Sequence, residues 1–250
     1  MTIRRGDVVL VTGATGAIGF EIAAQATEAG AIVAVHGSSA DSVAKAVERL
    51  RERVTDAQLI AAPADFRSDG AIEAMVEKVA VEARRIDAVI HCGITGAARV
   101  AGPFAKADPA NFGEHAALVL GSFQTLCYSA LPHLSVRGGT IIGFASDAGK
   151  FAAPRQSVIG AAFGGIMSFA RNLALEVARQ GVRVHCISPS FVADTPAFER
   201  HAARAGTAFD RAGLGLPTPK DIAPVALFLC GPNAAKITGQ IISINGGLNA

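Results

Sequence analysis

The chain has 250 residues, half of them hydrophobic and 18% charged, with 27 glycines and a formal net charge of +2. That length suits one domain over residues 1–250, and the apolar content argues against disorder and for a sheet buried on both faces. The excess of lysine and arginine is too small, and too scattered, to track a nucleic-acid backbone, so nucleic acid is not an expected partner.

At the N-terminus, Met1 to Gly6 lead straight into a strand, without the apolar segment and small-residue cleavage site of a secretory signal, so a cytoplasmic chain is expected. Asp7 to Thr12 is a short apolar run. A glycine-rich turn follows, then an alanine-rich helical stretch from about Ala17 to Ala29 closed by Gly30. Further strands are predicted near Ile32 to His36, Gln58 to Ala62, Ala88 to Cys92, Thr140 to Ser146, Val182 to Ser188 and Gln240 to Asn245. Helical patterns separate most of these seven strands. The alternation predicts right-handed crossovers and a Rossmann-type, doubly wound α/β fold with a seven-stranded parallel sheet.

Two long helical segments, Asp108 to Leu134 and Arg155 to Gln180, carry apolar residues on more than one face, a pattern open to core packing and to an oligomer interface alike. Val158 to Ala170 is interrupted by Gly and Ser and falls short of the ~20 residues that span a bilayer, so no membrane helix is expected. Phe191 to Leu216, with Pro196, several glycines and Arg200, His201, Arg204 and Arg211, reads as a mobile loop or lid beyond a strand's C-terminal end. Cys92, Cys127, Cys186 and Cys230 lie far apart without clustered histidines. They read as reduced packing residues, and no metal site is expected.

Thr12-Gly13-Ala14-Thr15-Gly16-Ala17-Ile18-Gly19 joins the first strand to the first helix, the context in which a glycine turn can set a pyrophosphate on backbone N–H groups. The same glycines could simply let helix and sheet pack closely. With this turn, Asp65-Phe66 after the third strand, Pro189-Ser190, Ile237-Thr238-Gly239-Gln240 and Asn245-Gly246-Gly247, the chain resembles the short-chain dehydrogenase/reductase family over nearly its whole length. The turn departs from the family's TGxxxGxG, with Ala17 at the middle glycine and Gly16 one place earlier. The resemblance implies Gly13, Thr15, Gly16, Ile18, Gly19 and Asp65 as the remaining cofactor-binding residues. Past the second strand, His36-Gly37-Ser38-Ser39 offers neither an acidic residue for a ribose 2′-hydroxyl nor an arginine for a 2′-phosphate. The family's NNAG is replaced by His91-Cys92-Gly93-Ile94.

The family transfers hydride to or from a nicotinamide with a Tyr acid/base, a Lys, a Ser and a relay Asn. Ser146 matches the Ser. The Tyr and Lys positions, thirteen and then four residues on, hold Ile159 and Phe163, and the Asn position falls at Val119. The only Tyr is Tyr128, and no Lys lies between Lys150 and Lys220. Ile and Phe can neither exchange a proton nor bond a ribose. A dinucleotide would leave hydroxyls unpaired there, at ~1–3 kcal/mol each, so NAD(P) binding in this chain is expected to be weak or absent. A Ser146, His91 and Asp147 triad lacks the G-x-S-x-G elbow, and His91, Lys150 or Arg155 are the candidates for substitute acid/base chemistry. His115, His133 and His185 read as satisfied structural histidines.

Two functions follow. One is a non-catalytic subunit that supports a homologous active subunit, which would hold NAD, in a hetero-oligomer that the resemblance implies is a tetramer. Such pairing of an intact with a defective copy resembles a hydroxyacyl-CoA dehydrogenase of anaerobic toluene degradation. The other is an oxidoreductase with unconventional acid/base residues.

Overall fold

The computed structural model describes residues 3–93, 97–199 and 211–249. Its centre is a seven-stranded sheet in the order β3-β2-β1-β4-β5-β6-β7, formed by β1 (Val8–Thr12), β2 (Ile32–Gly37), β3 (Leu59–Pro63), β4 (Ala88–His91), β5 (Gly139–Phe144), β6 (Val182–Pro189) and β7 (Ile241–Ile244). All six pairings are parallel. Each predicted strand forms, with ends within about two residues of expectation; the central strands are short apolar runs buried on both faces, while edge strands β3 and β7 are only partly buried.

One face is covered by α1 (Ala17–Glu28), α2 (Ala40–Arg53) and a late helix, Pro219–Cys230, around Ile22, Leu50 and Ile222. The other is covered by α3 (Ala71–Ala83), α5 (Ala110–Ala116), α6 (Ser122–Leu134) and α7 (Ser157–Val177), around Phe123, Ile141 and Ile166. A four-residue helix, α4 (Ala97–Val100), precedes α5, and the late helix is α8. Starts are fixed locally. Ser39 accepts from Ser42 N at the head of α2, and Thr218 and Asp221 form a capping box before α8 with Pro219 in its first turn.

The segment expected as one helix over Asp108 to Leu134 contains a π turn, Ala117–Gly121, between α5 and α6. Ser122 Oγ donates to Leu118 O at 2.7 Å within it. Extra residues in a helical turn commonly accompany functional sites. The α7 helix continues through a 3₁₀ turn to Gln180, giving 24 residues that are long and apolar enough to cross a bilayer. This corrects the short span read from Val158 to Ala170. One face of the helix is nonetheless core, through Ile159, Phe163, Ile166 and Ala170.

The four cysteines are free, and burial raises the Cys186 and Cys230 thiols to about 12. In the segment read as a lid, Phe191 and Leu216 pack with Phe198, Ala212 and Leu248. Arg200, His201 and Arg204 lie outside the described residues.

Candidate functional site

The strand order reverses between β1 and β4, and this is where an open α/β sheet presents a crevice at the strands' C-terminal ends. The glycine turn sits there. Gly13 adopts φ +68°, and a Cβ on it would stand 2.7 Å from the Gly93 backbone, so only glycine fits. A Cβ on Gly19 would run into Gly13 O, which sets α1 directly beneath the turn. Gly16 is the N-cap of α1 and supplies no side-chain cap, and the first turn carries no acidic residue. The N–H groups of Ala17, Ile18 and Gly19 therefore lack intrahelical acceptors, the arrangement that favours an anion. Thr15 lies over Gly37, where a Cβ would come within 2.5 Å of its methyl group.

Two histidines hold this turn: His36, to which the sequence reading gave no role, and His91, which it offered for acid/base chemistry. Gly13 N donates to His36 Nδ1 at 3.0 Å, and His36 Nε2 bonds Ala64 O at 3.0 Å. Thr12 Oγ1 and His91 Nδ1 lie 2.8 Å apart. The rings alternate with phenylalanines: His36 on Phe66 at 4.4 Å, Phe66 on His91 at 6.2 Å, and His91 on Phe123 at 5.5 Å between centroids. Burial lowers His36 to about 4 despite its bond to Ala64 O, and burial with the neighbouring His36 lowers His91 to about 3. Burial and then Arg183 lower His185 to about 4.

Because these folded-state values lie below the unfolded value of about 6.5, the unfolded chain takes up protons first as pH falls. Stability is expected to be flat above pH 7 and to drop between about 6.5 and 4, by on the order of 3 kcal/mol from His36 alone. Thermal melts at half-unit pH steps check this; a flat Tm across that window would refute the neutral imidazoles.

Asp65 lies at the far side of the crevice, half-exposed, accepting from Arg67 N at 3.1 Å. Arg67 and Arg99 both reach Glu114 on α5, at 3.4 and 3.1 Å. An ion-pair chain thus ties the β3 turn to α4 and α5.

At the opposite end, Ser146 Oγ accepts from Ala148 N at 3.3 Å and caps a 3₁₀ turn, Asp147–Gly149. That turn presses on α7: a Cβ on Gly160 would run into Ala148 O, and one on Gly149 would meet Phe163 Cβ at 2.9 Å. Ile159 and Phe163 are each 6% exposed and Val119 is fully buried, all three in the core on this face of the sheet. Val119 in the π turn and Ile159 and Phe163 on α7 thus stand on adjoining elements, and all three are packed.

Among the described residues the substitute acid/base candidates make no contact with one another. His91 is enclosed, with Nε2 buried and without a partner among the described residues; Lys150 Nζ donates to Ser243 Oγ at 3.0 Å; Arg155 stands exposed at φ +74°, its carbonyl accepting from Gly102 N. Nor do Ser146, His91 and Asp147 bond one another among the described residues, since His91 pairs with Thr12 and Asp147 with other partners. The reading of His115 as satisfied is corrected, since both its ring nitrogens are buried without partners among the described residues, whereas the His185 ring bonds the Ile237 backbone and its Nε2 lies 3.5 Å from Arg183. His133 lies 3.5 Å from Glu77.

Sequence reasoning underrated Asp147. Its buried carboxylate accepts from Ser188 Oγ, Ser243 Oγ, Asn245 Nδ2 and Asn249 Nδ2, at 3.0, 3.1, 2.6 and 3.2 Å. One side chain joins the ends of β5, β6 and β7 to the C-terminal tail.

The residues fit the phosphate half of a dinucleotide, with a turn that a Cβ would obstruct and an uncapped helix start. At positions 159 and 163, where the family resemblance places the groups that meet the nicotinamide ribose, Ile159 and Phe163 offer no hydrogen-bonding group.

Residues 13–249 match a family described as "Enoyl-(Acyl carrier protein) reductase". The chain is 30% identical over 247 residues to 3-oxoacyl-[acyl-carrier-protein] reductase FabG of Chlamydia trachomatis, covering 96% of each. In structure it is similar to a variant of the actinorhodin polyketide ketoreductase with NADPH, at a TM-score of 0.89 and 27% identity over 99% of each chain. It is also similar to 7α-hydroxysteroid dehydrogenase complexed with NADH, at a TM-score of 0.89 and 25% identity over 98% of this chain and 95% of that one.

Proposed function

The chain belongs to the short-chain dehydrogenase/reductase family of NAD(P)-dependent oxidoreductases, and from that premise we propose that it is a non-catalytic member, kept for assembly with a catalytically complete homologue. The observation that carries this reading is the burial of Ile159 and Phe163 at the positions where the family resemblance places the Tyr and Lys. A proton cannot pass through either side chain, and the turn bearing Ser146 rests on the same stretch of α7. In such an assembly the complete subunit holds the NAD and performs the hydride transfer, while this chain binds a nucleotide weakly or not at all.

The surface supports an assembly role. Tyr128 on α6 is 82% exposed and Leu175 on α7 is 78% exposed, on the two helices whose other faces are core. Large apolar side chains displayed on adjacent long helices suit burial against a second subunit, and a homologous partner would present matching helices. A partner acting on a hydroxyacyl or oxoacyl thioester is in keeping with the relative named as an oxoacyl-carrier-protein reductase.

Expressed alone and assayed with NADH or NADPH and acetoacetyl-CoA, the chain is expected to give no turnover. Co-expressed with an adjacent gene product of the same family that carries Ser, Tyr and Lys, it is expected to co-purify and to raise that partner's Tm. Turnover by the isolated chain with tight NAD(P)H binding would establish the alternative, an oxidoreductase with unconventional acid/base residues.

A further inference from the structure

The glycine turn is seated on a single residue of β2. His36 accepts two consecutive amides of the turn, Ala14 N through its carbonyl at 2.9 Å and Gly13 N through ring Nδ1 at 3.0 Å. The second bond defines the tautomer. Nδ1 accepts and carries no hydrogen, so Nε2 carries it and donates to Ala64 O at 3.0 Å. The ring cannot swing away, since it is 4% exposed and stacked on Phe66 at 4.4 Å with 20° between planes. The next residue, Gly37, leaves the space that Thr15 of the turn fills.

We infer that His36 is a positioning residue for the glycine turn, holding Gly13 in its left-handed conformation through Nδ1. Once the Gly13 amide is committed downward to the imidazole, the amides left to meet an anion are those at the start of α1, and their direction is set by the same turn. The role in phosphate binding rests on reading the turn as an anion cradle; the role in fixing the turn does not. Thr12 and His91 repeat the arrangement from β4, bonding the residue before the turn. The groups facing His36 are Gly13 N, Ala64 O, the Phe66 ring and, one ring further, His91, so no carboxylate among these contacts competes for the imidazole.

A plain structural role, pinning β2 to the turn after β3 through Ala64, makes the opposite demand on the side chain. His36→Asn places an oxygen where Nδ1 stands and drops the Ala64 bond. His36→Gln keeps a donor where Nε2 stands and drops the acceptor for Gly13. In the full chain, amide exchange at Gly13 is expected to quicken by about tenfold or more in His36→Gln and to stay within about threefold of wild type in His36→Asn. ADP, titrated by calorimetry, is expected to bind less tightly to His36→Gln than to wild type. Fast Gly13 exchange in His36→Asn with slow exchange in His36→Gln overturns the inference. If wild type binds no ADP, the anion-cradle reading fails while the exchange data still decide the positioning role. Should both variants unfold, scalar coupling between Gly13 ¹⁵N and His36 ¹⁵Nδ1 in labelled wild type decides it; no coupling means no such bond.

Discussion

Phe163→Lys is expected to lower the stability of this chain by about 4 kcal/mol or more, a fall in Tm of roughly 10 °C or more. The family resemblance places a lysine at this position, so a site merely awaiting its residues would accept it. Here the side chain is 6% exposed in the core, one helical turn from Ile159, with the Gly149 backbone against its Cβ. Removing a buried phenylalanine costs about 3–5 kcal/mol by itself, and an ammonium in its place loses hydration without gaining a carboxylate. The lysine pKa would be depressed, since burial disfavours the charged form. The unfolded chain then holds the proton to higher pH than the folded one, so the variant's stability should rise between pH 7 and 10 while Phe163→Met stays flat. Chemical denaturation over that range makes the measurement. The companion double variant, Ile159→Tyr with Phe163→Lys, is expected to remain without turnover; NAD(P)H-dependent activity in it, with an unchanged Tm, would refute the closed site.

Asp147→Ala is expected to be comparably damaging, about 3–5 kcal/mol. Four donors converge on this carboxylate, from Ser188, Ser243, Asn245 and Asn249, and truncation strands the buried pair, Ser188 and Asn245, without an acceptor there. Asn245 also donates to Asn249 O and accepts from Gly247 N, so losing its anchor should loosen the tail as well. Limited proteolysis is expected to clip residues 245–249 faster in the variant. Ser243→Ala, which deletes one bond and the Lys150 contact, should cost about 1 kcal/mol. A loss below about 1 kcal/mol in Asp147→Ala would show that the network is not holding the strand ends together.

The chemistry-bearing parts were unequally legible. Ile159 and Phe163 could be placed because Gly160-Ala161-Ala162 between them and the fixed helical spacing from Ser146 leave one register, and both fall in the core as apolar residues should. His36 was visible only as the absence of an acidic residue or an arginine, and Asp147 only as a neighbour of Ser146. What gives them roles are partners far along the chain, Gly13 23 residues from His36 and Asn245 98 residues from Asp147. The π turn at Ala117–Gly121 likewise has no signature in a pattern that reads as continuous helix.

By itself the sequence determined the seven strands, the parallel crossovers between them and the apolar character of positions 159 and 163, because local hydrophobic period and residue chemistry are properties of neighbours in the chain. Only the tertiary structure decided how the glycine turn is held, which carboxylate joins the strand ends, and that neither His115 ring nitrogen finds a partner among the described residues. Those outcomes depend on which donors and acceptors the packed sheet brings within about 3 Å, and hydrogen bonding at that range is set by fold geometry, not by spacing along the chain.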